Sequence, residues 1–537
     1  MATYTISQSL VGIKIRFIGV VVALAAVIVL GSFFLAGQLA FMLRTQSMEV
    51  TALQYRLEYA AHVSNSTMLA AVGDLFSDSV VVSTATSSTA LSIPVLTYHS
   101  ILEDKNDTGE GASSFEGGNV SLARFKDQMF SLKQAGWETV TLDEFEAFMR
   151  GERTLPAKSF LLTFDDGAQQ SFYPVDPLLS ALGYNAVAFI LPSFSLGDRS
   201  TYYLNKNELQ HMISTGRWEI ESHGDTIHTS FPVTADGSVE ENALSNRMWL
   251  PAQNRLETHE EYTARITKDL SESKRKLQEA LDISISAFAF PFGDYGQNKS
   301  NDPEAEATIR AVAQKEYSLA FYQNWNEGDF LFNYPARDAF MIKRIPVSPA
   351  WDGKALLSLL ETHAPKALPY AHGMQQNDGW QHEWGTMEFK GGDLRLAAKA
   401  TTTGALALLD GTGAWRDYEV EYEVEWHDGY VMVLFDMKSA RTGRACVFSA
   451  DGWVQLQNRT EDDIFILRES KHNIVQGGTH MIGAVSRDTT AACLFDGERV
   501  IDAELPEDSG GIGAAVWAEE EGVAEVFIKN TLVDKLK

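Results

Sequence analysis

The chain has 537 residues, 44 lysines and arginines against 72 aspartates and glutamates, and a formal net charge of −28. That length exceeds one ordinary hydrophobic core, so two or three domains are expected, and the acidic balance argues against nucleic acid, whose phosphates require a basic face. Two cysteines exclude a disulfide-dense scaffold and a cysteine-rich zinc site.

The N-terminus predicts an address. No charged residue interrupts Phe17–Leu43, which contains GVVVALAAVIVLGSFFLAG and is long enough to span a bilayer with some tilt. Gly37-Gln38-Leu39 and Leu39-Ala40 make a poor small-x-small cleavage site, which favours an uncleaved anchor over a signal peptide. Lys14 and Arg16 precede the span and Glu49 soon offsets Arg44. The positive-inside rule then predicts a cytoplasmic tail over 1–16, a transmembrane anchor over 17–43, and an extracytoplasmic remainder. Residues 44–92 read as stalk and linker: a helical stalk over 45–76 with apolar positions Leu53, Leu57 and Ala61, then the Ser/Thr/Ala-rich Val80–Ser92.

From Ile93 strands alternate with helices. IPVLTY (93–98) is a strand, and Ser121 caps a helix with Leu122, Phe125, Met129 and Leu132 on one face, ended by Gly136. ETVTL (138–142), SFLLTF (159–164), NAVAFIL (185–191), WEIES (218–222), SAFAFP (286–291), YSLAFY (317–322) and MIKRIPV (341–347) follow as further strands. Eight strands with interposed helices predict an α/β fold, an irregular (β/α) barrel over 93–368. No GxGxxG or Walker sequence supports a nucleotide-binding sheet instead. Glu260–Leu281 reads as a barrel-surface helix with a solvated charged face. Over 373–537 the pattern turns all-β. DYEVEYEVEW (417–426) alternates strictly, and Asp-Gly turns recur at 428, 451 and 496, which predicts a β-sandwich.

Polar residues gather at the C-terminal ends of the barrel strands, where such folds keep their chemistry. SFLLTF runs into Asp165-Asp166-Gly167; His99 follows IPVLTY; His223 and His228 follow WEIES; Pro291-Phe292-Gly293-Asp294-Tyr295 follows SAFAF. An isolated Asp-Asp-Gly is ordinarily a solvated turn, and a single His a satisfied core or surface residue. Two neighbouring carboxylates with two histidines five apart form instead a competent facial set for a divalent ion, zinc suiting the ligand types best.

TFDDG, the His pair and FAFPFGDYG together resemble the polysaccharide deacetylases of the NodB-homology type, carbohydrate esterase family 4. VLTYHSI, the wide His spacing and NRMWLPAQNRLETHEEY (246–262) resemble most the poly-β-1,6-N-acetylglucosamine deacetylase branch. The resemblance implies Asp165 as general base, Asp166, His223 and His228 as ligands of one divalent metal ion, and the Phe292 backbone N–H as oxyanion donor. It nominates His99 as the general acid across the cleft from Asp165, with His363 in ETHAP a poor match to the late Leu-x-His motif of other members. Pro291, Tyr295 and Arg344 are the substrate-contacting candidates. Two departures stand out. Gly224 occupies the place of the usual Thr or Ser after the first metal His. Ala287–Phe290 lack the arginine that orients the base, a role open to Arg344 alongside a structural one.

The sandwich resembles concanavalin-like jelly rolls in outline. Trp415, Trp426, Trp453 and Trp517 are candidates either for sugar stacking or for core packing, and Cys446 and Cys493 either pair or remain buried thiols. The leading expectation is a membrane-anchored, metal-dependent hydrolase that removes N-acetyl groups from an extracytoplasmic N-acetylglucosamine polysaccharide. The alternatives are a peptidoglycan or chitin-type deacetylase, and an inactive glycan-binding surface protein.

Overall fold

The computed structural model describes residues 35–64, 89–103, 118–197, 201–297, 299–324, 330–336, 338–426, 428–461, 463–472, 478–506 and 509–536. The chain divides into two compact units, Met1–Leu75 with Val175–Gly183, and Phe76–Pro174 with Tyr184–Lys537. In the first, residues 35–64 are helical. The segment expected as a stalk is therefore helical as far as residue 64, but its stripe differs from expectation. Leu53, Leu57 and Ala61 are exposed, and the i, i+4, i+7 set Met48, Ala52 and Tyr55 is buried instead. Among the described residues no helix is long and apolar enough to cross a membrane. Most of the expected anchor, residues 17–34, and most of the Val80–Ser92 linker lie outside the described residues.

The second unit holds the barrel. Its strands are β1 (Val95–Tyr98), β2 (Glu138–Thr139), β3 (Ser159–Phe164), β4 (Ala186–Ile190), β5 (Trp218–Ser222), β6 (Ala287–Ala289), β7 (Leu319–Gln323) and β8 (Met341–Pro346). All pairings are parallel, in the order β1-β8-β7-β6-β5-β4-β3, and β3 returns to β1. Seven strands thus close the ring, and β2 only flanks β3 on its outside. The reason lies in ETVTL. Only its first two residues pair, because Thr141 caps the helix Leu142–Met149 in a reciprocal capping box with Glu144. Leu142, Phe145 and Phe148 then join Val95, Leu161, Val187, Phe189, Ala289 and Phe321 in one buried cluster. β3 and β4 are buried along their whole length, as expected for strands covered on both faces.

Between β5 and β6 the chain makes two small hairpins, Ser230–Pro232 with Glu240–Asn242 and Trp249–Leu250 with Arg255–Leu256. It then enters the helix His259–Leu281, capped by Thr258 and Glu261. Arg265 of this helix gathers the insertion by binding Glu257 and the carbonyls of Ala243 and Asn246. Asp294 ties the same insertion to the PFGDYG segment through Asn242 and Ser245.

The C-terminal part is a sandwich of two mainly antiparallel sheets. Tyr418–Trp426 alternates buried and half-buried along its length and sits centrally, paired on both sides. Cys446 and Cys493 form a disulfide, with Cα atoms 5.5 Å apart, that joins one sheet to the other. The junction with the barrel is polar as well as apolar. Asp410 accepts from the Leu331 N–H and faces His363, Trp415 Nε1 donates to the Lys366 carbonyl, and Phe330 packs on sandwich residues.

Candidate active site

In the register of β1 with β3, Tyr98 stands opposite Phe164. The next residue on each strand, His99 and Asp165, are therefore neighbours at the same lip. His99 Nε2 lies 4.0 Å from Asp165 Oδ2. His99 thus stands beside Asp165, on the adjoining strand, rather than across a cleft from it. Asp165 is 1% exposed and Arg344, arriving from β8, is fully buried. The guanidinium grips the carboxylate in a two-pronged contact, Nη1 to Oδ1 at 2.6 Å and Nη2 to Oδ2 at 2.8 Å. Arg344 is accordingly not a substrate contact: its fork is occupied by Asp165. It holds the Asp165 carboxylate as the resemblance expects of the arginine missing before Pro291. Burial pushes the Asp165 carboxyl upward, but Arg344, His223 and His99 outweigh it and hold Asp165 well below the usual carboxylate range.

Asp166 turns the other way. Its φ of 71° and that of Gly167, 70°, lie in the left-handed region, which Asp and Gly tolerate. A Cβ on Gly167 would stand 2.7 Å from Ile190 Cδ1. Asp166 Oδ1 then faces His223 Nε2 at 3.6 Å and His228 Nε2 at 3.4 Å. Ring nitrogens and carboxylate oxygen of this trio lie within 4.8 Å of one another. Two observations make it fit a divalent ion. Asp166 Oδ1 is buried without a hydrogen-bond partner. His223 donates from Nδ1 to the Ala289 carbonyl at 2.8 Å, which leaves the Nε2 lone pair aimed at the trio. Burial lowers His223, yet Asp165 and Asp166 prevail and raise it. Burial and the neighbouring His223 charge push His228 down to about 4, so it is neutral and able to donate at ordinary pH.

The departure at Gly224 has a structural answer. Its φ is +86°, and a Cβ there would meet Ile227 Cγ1 at 2.7 Å, so the turn from His223 to His228 admits only glycine. Support comes instead from Asp269 on the helix His259–Leu281. It accepts from the Asp225 N–H (2.8 Å), the Thr226 N–H (2.8 Å) and the Thr226 hydroxyl (2.6 Å). Sequence reading missed Asp269. The signal was present, because Asp269 and Ser273 interrupt the buried stripe of Tyr262, Ile266, Leu270 and Leu277.

Phe292 occupies a 3-10 turn, Pro291–Gly293, with φ 59°. Its half-exposed ring lies 4.4 Å from that of His228. Pro291 is buried, and Tyr295 packs edge-on against Tyr322. Phe194 and Tyr203, stacked at 4.7 Å beside the loop after Gly167, extend an aromatic rim that sequence reading did not identify. His363 lies at the sandwich junction, 3.2 Å from Asp410 and bound to Gln381, away from this cluster.

The family model for polysaccharide deacetylases matches residues 152–311. The match covers strands β3 to β6 of the barrel and marks it as of the polysaccharide deacetylase type. The chain is also similar to a poly-β-1,6-N-acetyl-D-glucosamine N-deacetylase of Escherichia coli K12, 26% identical over 33% of this chain and 28% of that protein. A Staphylococcus aureus protein of the same name is 26% identical over 44% of this chain and 72% of its own. The chain thus spans little more than a quarter of the E. coli relative. Among solved structures, a de-N-acetylase from Aggregatibacter actinomycetemcomitans aligns over 50% of this chain and 99% of its own, at 22% identity and a TM-score of 0.42.

Proposed function

We propose that this protein hydrolyses N-acetyl groups from a poly-β-1,6-N-acetylglucosamine chain, releasing acetate and leaving free amines. The observation that carries the reading is the buried Asp165–Arg344 fork set against the Asp166, His223 and His228 trio. The names of the E. coli and S. aureus relatives support the choice of polymer. One divalent ion, zinc by ligand type, would be held by Asp166, His223 and His228, and when bound would polarise the acetyl carbonyl and acidify a water.

Asp165 takes a proton from the attacking water through the lone pairs its oxygens do not give to Arg344. Arg344 makes Asp165 a weaker base but keeps it ionised and fixed in direction, a trade that suits an already acidified water. The oxyanion accepts a hydrogen bond from the Phe292 N–H. His99, partly exposed beside Asp165, gives a proton to the departing amine as the C–N bond breaks. Tyr295 lines the sugar's path, while Pro291, expected among the substrate contacts, is buried and instead sets the turn that carries Phe292. The remaining proposals concern placement. Residues 17–43 anchor the chain with 1–16 in the cytoplasm, and 44–92 form stalk and linker. The domain of 93–368 and a concanavalin-like sandwich of 373–537 then lie outside.

Acetate release from a β-1,6-linked N-acetylglucosamine oligomer, before and after a chelator and after zinc is restored, tests the reading. Loss with the chelator and recovery with zinc are expected. Release indifferent to the chelator, or release from chitin or peptidoglycan fragments only, would overturn it.

A further inference from the structure

The sandwich carries a line of side chains that the chemistry above does not use. Register across the seven-stranded sheet places Gly404 beside Trp517, Trp517 beside Tyr430, Tyr430 beside Ser449, and Trp453 beside Lys471. The Trp453 N–H donates to Ser449 Oγ at 2.8 Å, which joins the two halves into one row. Cross-strand partners share a face. Here it is the outer face, since the preceding or following residues Ala405, Val516, Val431, Phe448 and Val454 all lie in the core between the sheets. Trp415 and Trp426, by contrast, are buried in that core and are excluded as ligand contacts.

Trp453 and Trp517 are each 38% exposed. Their orientation is fixed. Trp517 Nε1 donates to Thr403 Oγ1 at 2.9 Å and its ring leans on Tyr430 at 5.3 Å, while Lys471 Nζ sits 5.6 Å from the Trp453 ring. Three strand spacings separate Trp517 from Trp453, about 14 Å. That is the reach of an oligosaccharide rather than of one sugar. Amides stand on the same face along the Trp453 strand. Gln457 Nε2 donates to Gln455 Oε1 at 2.9 Å, and Gln455 Nε2 approaches Glu469. Gln457 is 8% exposed, and its Oε1 is buried with no hydrogen-bond partner.

We propose that this face is a glycan-binding platform, on which Trp517, Tyr430 and Trp453 stack against the apolar faces of successive sugar rings. Gln455, held from below by Gln457, and the exposed Glu469 take the hydroxyl and acetamido donors along the ring edges. Pinned aromatics with a polar border match a ligand that has apolar faces and polar edges, and they lose little freedom on binding. The identity of the sugar as N-acetylglucosamine rests on the function proposed above; the platform itself does not. Its role is to hold a long polymer while the barrel works along it.

The test uses the full-length protein in detergent, carrying Asp165→Asn so that ligand is not consumed. Long β-1,6-linked N-acetylglucosamine oligomers are titrated calorimetrically, with cello-oligosaccharides as a second probe. Trp453→Ala and Trp517→Ala are each expected to weaken binding of one of these probes by at least about tenfold, the scale of an interface anchor. The expectation includes unaltered thermal melting, and no effect from Leu532→Ala on the other sheet. Trp453→Phe should restore most of the loss. In the protein with Asp165 intact, Trp453→Ala should raise KM for the polymer rather than lower kcat. Unchanged affinity in both tryptophan variants would overturn the platform, as would a parent dimer that falls to monomer in them, which would give the face to a second copy. Acetate release is read separately. Binding without release leaves the platform standing and removes the deacetylase reading; release with unaltered binding does the reverse.

Discussion

At the scale of single residues, the site divides into what neighbours in sequence declare and what distant residues supply. Asp165, Asp166, His223 and His228 were legible because each pair is local and follows a recognisable strand. Arg344 was legible only as an open choice between orienting Asp165 and a structural role, because its partner is 179 positions away and only closure of β8 against β1 brings the two together. Arg344→Met should lower turnover by roughly 10²-fold through loss of aim, and Arg344→Lys should not restore it, since an ammonium cannot make the fork. The acid limb of the pH–rate profile should move upward in the same variants, because Arg344 is the largest of the influences lowering Asp165. An unmoved limb would show that Arg344 only fills space. The sign for stability follows the same shift. A depressed carboxyl contributes stability above the unfolded pKa and loses it as pH falls through the folded value, so Arg344→Met should weaken the fold least in acid. His99→Ala should reduce turnover by roughly 10²–10⁴-fold while metal content stays at the parent level. Full activity in that variant would leave His99 as no more than the end of β1.

Elements explain why Asp166, His223 and His228 stand where they do. The helix His259–Leu281 was legible as a surface helix from its caps and narrow stripe. Its function was not, since Asp269 counts as one charge among many until the loop it holds is seen. Asp269→Asn should cost about 10–100-fold in metal affinity with the fold intact, the usual effect of loosening a support behind the ligands. Gly224→Ser should do no better, although it adds the hydroxyl usual at that place in the deacetylases the chain resembles, because its Cβ collides with Ile227. Tight metal binding by Gly224→Ser would refute that geometry. Strand β5 also carries Glu221, whose carboxylate accepts the Ser286 and Ala287 N–H groups. Burial outweighs these bonds and pushes its pKa up to about 8. The folded protein therefore keeps this proton where the unfolded chain releases it, so stability is present below pH 4.5 and is lost as pH rises toward about 8. Glu221→Gln should flatten that part of the stability–pH curve, as measured by denaturant unfolding. The strand ETVTL shows the opposite limit of sequence reading. Its alternation is genuine, but a capping box at Thr141 competes for the same residues and wins.

Over the whole molecule, the succession of strands and the change to an all-β pattern could be read directly, because apolar runs and alternation are local signals. That the ring closes with seven strands could not, since closure depends on which edges meet. Nor could the pairing of Cys446 with Cys493, which needs both sheets assembled. Removing that crosslink, which spans 47 residues, should cost about 4 kcal/mol by loop-closure entropy. A parent-like melting temperature for Cys446→Ala/Cys493→Ala would contradict this. The central claim is that the carboxylate gripped by Arg344 does chemistry and its neighbour holds a metal. The most direct measurement sets acetate release from a β-1,6-linked N-acetylglucosamine oligomer beside bound metal, in the parent, Asp165→Asn and Asp166→Asn. Asp165→Asn should keep about one ion per chain and release almost no acetate, while Asp166→Asn should lose both. Parent-like release by Asp165→Asn, or full metal content in Asp166→Asn, would contradict the account.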